Sequence, residues 1–321
     1  MPDAAAQIAL AARLLRAGKL VAFPTETVYG LGADAQNELA VRAIFAAKGR
    51  PADHPVIVHV ADASELQLWA REIPPAARAL ANSYWPGPLT LVLPRSALAG
   101  DWVTGGQDTV GLRSPAHPLA RALLAAFGGA LAAPSANRYG HVSPTLAQHV
   151  REELGDAVSL VLDGGACPLG IESTIVAFAN GKPMLLRPGS ITEGQVVAVA
   201  GPLADAAELR LPMPRVPGSA ARHYAPYTPV ELVEAAALPA HLAALLSQDL
   251  RVGVLARSAA PAGTAAPWRA AGADAASYAH SLYGALRGLD RCSLNRILIE
   301  AVPDTAEWAA VRDRLARAVT P

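Results

Sequence analysis

Apolar and polar residues follow two different periods along the first two thirds of the chain. Residues 3–17 and 37–48 show the three- and four-residue spacing of amphipathic helices, with Gly18 and Gly49 placed to end them. Short apolar runs typical of buried strands lie at 19–23, 55–60, 89–93, 110–113, 130–133, 159–162, 173–178 and 184–187. The alternation predicts an α/β domain built on a sizeable, mixed and twisted sheet.

The pattern changes between Gly201 and Pro229, where prolines separate small and polar residues and no period is sustained. We interpret 201–229 as a Pro-rich linker between a first domain at 1–200 and a second at 230–321. In the second domain, strand patterns at 230–233, 251–255 and 296–301 alternate with helical patterns at 239–246, 275–289 and 305–319. This predicts a smaller, doubly wound, Rossmann-like α/β domain, with a surface loop at the Ala- and Pro-rich 259–276.

The segment 23–35 reads FPTETVYGLGADA and is the first place where chemistry is visible. After Pro24 ends the preceding strand, three hydroxyls and the carboxylate of Glu26 fall in what we interpret as a loop. Its two glycines would let the backbone approach a ligand. Taken alone, an ordinary strand-to-helix connection explains this loop equally well.

Lys48 and Arg50 lie at the end of the second predicted helix. Cations complement the helix dipole there, but the constrained loop PADHP that follows holds both near one place, which suits phosphate oxygens. His59, in the next strand, is either a satisfied core histidine, the more common case, or a ligand contact.

Polar residues also stand at the ends of the later strands. Arg113 ends a strand and suits a carboxylate, although a surface salt bridge explains it equally. The polar stretch APSANRYGHVSP leads to Ser143 and Pro144, where we expect a helix to begin because Pro at its first position loses no hydrogen bond. Arg187 precedes a Pro-Gly turn, and Tyr224 in the linker is able to stack on a base or fill a pocket.

Charge and cysteine content exclude some classes of protein. The 27 basic and 27 acidic side chains cancel, so no overall field would draw the chain onto nucleic acid or an anionic membrane. Two cysteines far apart imply neither a disulfide framework nor a cysteine-based zinc site, which fits a reducing cytoplasm. Without a signal-peptide or membrane-span pattern, we expect a cytoplasmic protein whose RNA contact, if any, is weak and local.

Several motifs together resemble the threonylcarbamoyl-AMP synthase family in order and spacing. They are PTETVYGLG, KGRP, the strand with His59, GLRSP, APSAN, the segment from DGG to ESTIV, and the RPG turn. The resemblance spans roughly residues 5–200, the YrdC-like domain. The linker with RHYAP and the trailing α/β domain are similar to those of the two-domain members.

The resemblance implies a nucleotidyltransferase that makes L-threonylcarbamoyladenylate and pyrophosphate from L-threonine, bicarbonate and ATP, with Mg²⁺ accompanying ATP. A separate transferase would use the product to modify the adenosine next to the anticodon of tRNA. The implied threonine-binding residues are Thr27, His59, Arg113, Ala133 (through its backbone) and Ser173. The implied ATP-binding residues are Arg50, His54, Thr109, Ser135, Ser143, Arg187 and Tyr224, with Lys48 and Arg50 as catalytic residues and no protein-held metal.

One residue departs from the family pattern, and two other functions stay open. His54 stands where the family more usually has Asn, so its hydrogen bond would depend on tautomer and pH. Related domains form a carbamoyladenylate or bind double-stranded RNA, although zero net charge counts against RNA binding as the main role. Tyr224, in a stiff linker, suggests that the second domain acts as a lid over the nucleotide.

Overall fold

The computed structural model describes residues 4–204, 213–218 and 222–319, which divide into two compact units. The first unit comprises Met1–Tyr139, Pro144–Pro168 and Glu172–Ser219. The second comprises Gly140–Ser143, Leu169–Ile171 and Ala220–Pro321, so two short segments of the N-terminal half belong to it. The domain boundaries at 200 and 229, taken from composition, stay a prediction.

Within the described residues the first unit is built on one mixed sheet of nine strands, in the order β7-β1-β2-β6-β3-β5-β4-β8-β9. Strand pairs β1–β7, β3–β5 and β4–β8 are parallel and the other neighbours antiparallel. The strands are β1 (Val21–Phe23), β2 (Gly30–Asp34), β3 (Ile57–His59), β4 (Leu89–Pro94), β5 (Thr109–Arg113), β6 (Leu131–Ala132), β7 (Leu160–Val161), β8 (Thr174–Ala179) and β9 (Lys182–Arg187).

Helices pack on both faces of this sheet, because successive strand residues point to opposite sides. Phe23 and Leu131 form one core with two of the helices, while their neighbours Ala22 and Ala132 belong to the larger core on the other face. The helices are α1 (Ala4–Arg16), α2 (Glu38–Lys48), α3 (Leu66–Trp69), α4 (Pro75–Tyr84), α5 (Asp101–Thr104), α6 (Pro118–Phe127), α7 (Ala147–Leu154) and α8 (Glu193–Ala200). Helices α1 and α6 cover the Phe23 face.

Helix α2 begins and ends where its capping residues predict. The side chain of Asn37 accepts a hydrogen bond from the backbone N–H of Ala40 at 3.2 Å. At the other end, Gly49 adopts the left-handed conformation with φ 61° and bonds back to the last carbonyls. This end fixes the direction in which Lys48 and Arg50 leave the helix.

The interpretation of 23–35 as a loop is wrong for its second half, which forms β2 and pairs antiparallel with β1. Phe23 lies opposite Gly30, and its ring covers Gly32, where an added β-carbon would approach the ring to 2.8 Å and the carbonyl oxygen of Val21 to 3.2 Å. The glycine at 32 therefore makes room for an aromatic ring in the core and not for a ligand.

The helix expected to begin at Ser143 and Pro144 begins later, at Ala147 in α7. The carbonyl of Pro144 accepts a hydrogen bond from the backbone N–H of Tyr29 at 2.9 Å, so this stretch stays extended beside the chain leading into β2. Leu146 precedes the first helical residue and provides no side-chain cap. Tertiary hydrogen bonding thus outweighs the local proline signal.

The second unit has a smaller sheet of four parallel strands in its described residues, in the order β10-β13-β11-β12. Its elements are β10 (Val230–Val233), α9 (Leu238–Leu246), β11 (Val252–Ala256), β12 (Trp268–Ala270), α10 (Ala275–Asp290), β13 (Arg296–Glu300) and α11 (Ala309–Val319). The predicted fold class is confirmed for both units. The surface loop expected at 259–276 contains β12, because Trp268 packs against the core and pairs with Val254.

No helix among residues 4–204, 213–218 and 222–319 is both long and apolar enough to cross a membrane.

Candidate active site

Three neighbouring strands bring two of the expected amino-acid contacts, His59 and Arg113, together with Thr90 at one end of the large sheet. His59 ends β3 and Arg113 ends β5, and the two are partners in the parallel register of these strands. On the other side of β5, Leu91 of β4 lies opposite Leu112, which places Thr90 beside Arg113. All three side chains are buried. The sheet register, set by residues far apart in sequence, therefore assembles this group.

Arg113 is held by a carboxylate to which the sequence motifs assign no role. Its Nη2 donates to Oε1 of Glu26 at 2.6 Å and its Nε donates to the carbonyl oxygen of Gly87 at 3.3 Å. The other oxygen of Glu26 accepts from the backbone N–H of Ala116 at 2.9 Å. Burial alone would raise the pKa of Glu26, but the charge of Arg113 and these hydrogen bonds lower it below the usual value.

His59 presents a neutral ring next to this guanidinium. Burial, and then the charge of Arg113, lower the pKa of His59 from 6.5 to about 3. Its ring stands edge-on to Phe23, with the ring centroids 6.2 Å apart. Within the described part of the chain, Nδ1 of His59 is buried and has no hydrogen-bond partner. A buried polar atom of this kind is typical of a site that a ligand completes.

Ser173 completes this group from the strand next to β4. Its hydroxyl lies 2.8 Å from the hydroxyl of Thr90. Arg187, at the end of β9, donates from Nε and Nη2 to the carbonyl oxygen of Ser173 at 3.1 and 2.9 Å. Arg187 also donates to the carbonyl oxygen of Pro217 at 2.9 Å. In the structure Arg187 therefore fixes Ser173 and the segment around residue 217.

The turn that contains Thr27 reaches the same group through Glu26. The hydroxyl of Thr25 lies 2.8 Å from that of Thr27 and donates to the carbonyl oxygen of Val28 at 2.6 Å, which closes the turn. Ala133, expected to act through its backbone, donates its N–H to the carbonyl oxygen of Ile57 at 3.0 Å. Its N–H is thus already used within the fold, between the chain after β6 and β3.

Lys48 belongs to the second group of expected site residues, the cations that would face the phosphates. It is buried and donates from Nζ to the carbonyl oxygens of Ser135 and Asn137 at 2.6 and 2.5 Å. In return, the N–H of Tyr139 donates to the carbonyl oxygen of Lys48 at 2.8 Å. Burial and the charge of Arg50 lower the pKa of Lys48 well below its usual value. These contacts clamp the loop at 135–139 onto the end of α2.

Arg50 and His54 both contact the ring of Tyr139, a residue to which the sequence analysis gives no role. The guanidinium carbon of Arg50 lies 5.8 Å from the ring centroid, and its Nη2 donates to the carbonyl oxygen of Pro55 at 2.7 Å. Nδ1 of His54 lies 3.2 Å from the Tyr139 hydroxyl, with the two rings edge to face. Partial burial, and then Arg50, lower the pKa of His54.

The face of β5 that carries Arg113 also carries Thr109, one of the expected ATP contacts. Thr109, four residues before Arg113 on β5, shares its side of the strand, and this spacing corresponds to about 13 Å. A small cleft on this face is lined by Pro55, Ile57, Thr90, Thr109 and Gly111. It is bordered by residues 215–217, which Gln107 holds through two hydrogen bonds to the backbone of Arg215, at 2.7 and 3.0 Å.

Comparison with known proteins finds the same family for both parts of the chain. The model of the Sua5, YciO and YrdC family, described as "Telomere recombination", matches residues 13–189, and one described as "Threonylcarbamoyl-AMP synthase, C-terminal domain" matches residues 191–320. The chain is 42% identical to the threonylcarbamoyl-AMP synthase of Bacillus subtilis, over 97% of this chain and 92% of the relative. It is 40% identical to that of Pyrococcus abyssi, over 97% and 94%.

The chain belongs to the threonylcarbamoyl-AMP synthase family. Among solved structures, Pyrococcus abyssi Sua5 complexed with L-threonine superimposes with a TM-score of 0.90 at 40% identity, covering 97% of this chain and 94% of that one. The resemblance found from the motifs is thereby confirmed, as is the second domain of the two-domain members of the threonylcarbamoyl-AMP synthase family.

Two of the expected ATP contacts, Ser143 and Tyr224, lie in the second unit. Tyr224 is only 1% exposed, and its ring stacks on Tyr283 with centroids 5.8 Å apart. The guanidinium carbon of Arg314 lies 5.3 Å from the Tyr224 ring. That Ser143 and Tyr224 contact ATP stays a prediction. That the second domain acts as a lid over the nucleotide also stays a prediction.

Sequence reasoning missed three residues that the site depends on. Glu26 lies in the motif PTETVYGLG and Tyr139 in the polar stretch APSANRYGHVSP, so their position alone could have marked them as candidates. Arg215 carries no such signal, because it lies in the Pro-rich segment, yet its Nη1 bonds to Asp53 at 3.0 Å beside the loop of His54.

Proposed function

We propose that this chain is an L-threonylcarbamoyladenylate synthase, a nucleotidyltransferase that uses L-threonine, bicarbonate and ATP. One observation carries the proposal: buried Arg113 and the partnerless Nδ1 of His59 lie on the same sheet face as a cleft whose lining residue Pro55 accepts a hydrogen bond from Arg50. An amino acid held by Arg113 and His59 would face a nucleotide held by Arg50. The names of the relatives and the threonine complex of Sua5 support this assignment.

The proposed reaction needs residues that position the substrates and neutralise charge on the phosphates, and it does not need a strong base. The threonine ammonium first gives up one proton to water, and the resulting amine attacks the bicarbonate carbon. The bond from carbon to the hydroxyl then breaks, and the hydroxide leaves with a second N–H proton as water, which gives an N-carboxylate. One oxygen of this carboxylate then attacks the α-phosphorus of ATP, and the bond to the pyrophosphate oxygen breaks. Because the nucleophile is already an anion, the protein needs only to align it and to stabilise charge on the phosphates. Arg113 would hold the threonine carboxylate and Arg50 would face the phosphates.

Mg²⁺ enters this proposal as the companion of ATP. Among the described residues, no cluster of three or more His, Cys, Asp and Glu side chains is arranged to hold a metal ion. The ion would therefore be bound through the phosphates, where it would supply further charge neutralisation. We place the reaction in the cytoplasm, a choice supported by the unpaired thiols of Cys167 and Cys292. The adenylate would pass to a separate tRNA threonylcarbamoyl transferase.

Pyrophosphate release tests the proposed function directly. With the purified full-length chain, we expect release from ATP only when threonine and bicarbonate are both present, together with formation of an acid-labile adenylate. Release that does not depend on threonine, or that depends on carbamoyl phosphate, would identify a carbamoyladenylate-forming enzyme. Salt-sensitive binding of double-stranded RNA without ATP turnover would identify an RNA-binding module.

A further inference from the structure

Glu26 is a buried carboxylate that the reaction described above does not use. It lies in a tight turn, 7% exposed, and both its oxygens are hydrogen-bonded, one to Arg113 and one to the N–H of Ala116. A buried ion pair of this kind is poor evidence of a contribution to stability, because desolvation offsets much of the attraction. Its location beside the expected carboxylate contact calls for another explanation.

The ion pair determines which part of the guanidinium faces the site. Arg113 uses Nη2 for Glu26 and Nε for the carbonyl of Gly87, and within the described residues no hydrogen bond involves Nη1. His59, the register partner of Arg113, likewise has Nδ1 without a partner there. Two polar atoms from adjoining strands are thus left for one ligand, and Glu26 fixes the orientation of the first.

We propose that Glu26 is a positioning and specificity residue, which orients Arg113 and, by neutralising it, makes the site select a zwitterionic amino acid over a simple carboxylate. This inference rests on the proposed function, since it assigns the Arg113 end to threonine. The physical reason is the net charge of the ion pair, which is zero before the ligand binds. A ligand with a carboxylate alone would leave one uncompensated negative charge in a buried site, whereas the ammonium of threonine cancels it.

The test compares threonine with 3-hydroxybutyrate, which is threonine without its amino group. In the Glu26→Gln variant the guanidinium has no counter-charge, and its orientation is no longer fixed. We expect the KM for threonine to rise about 10- to 100-fold, the loss of one charge-assisted contact. At the same time, we expect the preference for threonine over 3-hydroxybutyrate, measured by calorimetry, to fall about tenfold or more, since the uncompensated cation now favours a bare carboxylate.

Two further variants separate the effect of the Glu26 charge from the effects of its side-chain length and of stability. Glu26→Asp keeps the charge but is too short to reach Arg113 and Ala116 together, so we expect a raised KM for threonine with the preference over 3-hydroxybutyrate retained. The matched control is Glu300→Gln in the second unit, because Glu300 is also 7% exposed and pairs with an arginine, Arg257, at 3.2 Å. We expect this variant to change the melting temperature but neither ligand constant.

The outcomes distinguish this inference from the proposed function. A folded Glu26→Gln variant with a threonine KM within twofold of wild type, or with an unchanged preference over 3-hydroxybutyrate, would overturn the role of Glu26. If Glu26→Gln has no cooperative thermal transition, Glu26→Asp decides, and an unchanged KM then overturns the role. If the wild-type chain releases no threonine-dependent pyrophosphate, the proposed function fails, while calorimetry of threonine binding still tests Glu26.

Discussion

The two groups of charged residues in the candidate site, one at the amino-acid end and one at the cation end, use the same kinds of residue in different ways. At the amino-acid end, Arg113 and His59 each keep a polar atom without a protein partner in the described chain. At the cation end, Lys48 donates to two backbone carbonyls and holds a loop. A buried cation near a site is thus not automatically a ligand contact. Its existing hydrogen bonds decide whether removing it affects mainly binding or mainly the fold.

The largest effect is expected at Arg113. The Arg113→Ala variant loses the proposed partner of the threonine carboxylate and leaves Glu26 buried without a counter-charge. We therefore expect kcat/KM for threonine to fall at least about 100-fold and the free energy of unfolding to fall by about 3–5 kcal/mol. Steady-state kinetics with urea denaturation measure both. Arg71→Ala, which breaks an exposed pair with Asp108, is the control and should leave the free energy of unfolding almost unchanged. Equal losses of kcat/KM and of stability in the Arg113 and Arg71 variants would contradict a special role for Arg113.

At the other end, Lys48→Met should act mainly on the fold. The change removes the donor and leaves the carbonyls of Ser135 and Asn137 without it, at a cost of about 2–4 kcal/mol in the free energy of unfolding. Since the loop at 135–139 moves with it, we expect the KM for ATP to rise more than that for threonine. A variant as stable as wild type that loses only kcat would instead assign Lys48 a direct part in the reaction, as the motif predicts.

The neutral state of His59 should be visible as a pH dependence of stability. Burial lowers the pKa of His59 from 6.5 to about 3, so between these values the unfolded chain takes up a proton that the folded chain does not. The free energy of unfolding should therefore fall with falling pH, by up to about 1.4 kcal/mol per pH unit from this residue. Urea denaturation from pH 7.5 to 4.5 measures the slope, and His59→Gln should flatten it. Parallel curves for the two proteins would refute the assignment.

The smallest effect is expected at Tyr139. Tyr139→Phe keeps the ring beside Arg50 but removes the hydroxyl that lies 3.2 Å from Nδ1 of His54. When this hydroxyl donates to Nδ1, the neutral His54 carries its proton on Nε2 and can donate to an ATP oxygen. The loss should raise the KM for ATP about two- to fivefold, with kcat unchanged. In a His54→Asn background the same change should have no effect, which initial-rate measurements of the double variant check.

Local sequence signals predicted most of the strands and helices of the fold. Asn37 and Gly49 are enough to bound α2, because capping is a property of neighbouring residues. Strand β2 was missed because its glycines are typical of a loop, and only the ring of Phe23 on the next strand explains them. The start of α7 was placed too early because the hydrogen bond from Tyr29 to Pro144 joins residues far apart in sequence.

The candidate site was predictable as a set of residue types, but its contacts were not. Arg113 at a strand end suggests a carboxylate ligand, while its partner Glu26 lies 87 residues away in sequence and is brought there by the fold. Likewise, nothing in KGRP reveals that Lys48 bonds to backbone carbonyls. Motifs thus suggest candidate residues, and the sheet register determines which of their side chains lie together.

The ring of Phe23 over Gly32 has a consequence for genetics. Every missense change of one nucleotide in a glycine codon introduces a side chain with a β-carbon, which the aromatic ring leaves no room for. In a mutational scan of the gene, codon 32 should therefore tolerate as few amino-acid substitutions as the codons of catalytic residues. A map of intolerance alone would mark it as part of the catalytic machinery, although its role is to admit an aromatic neighbour.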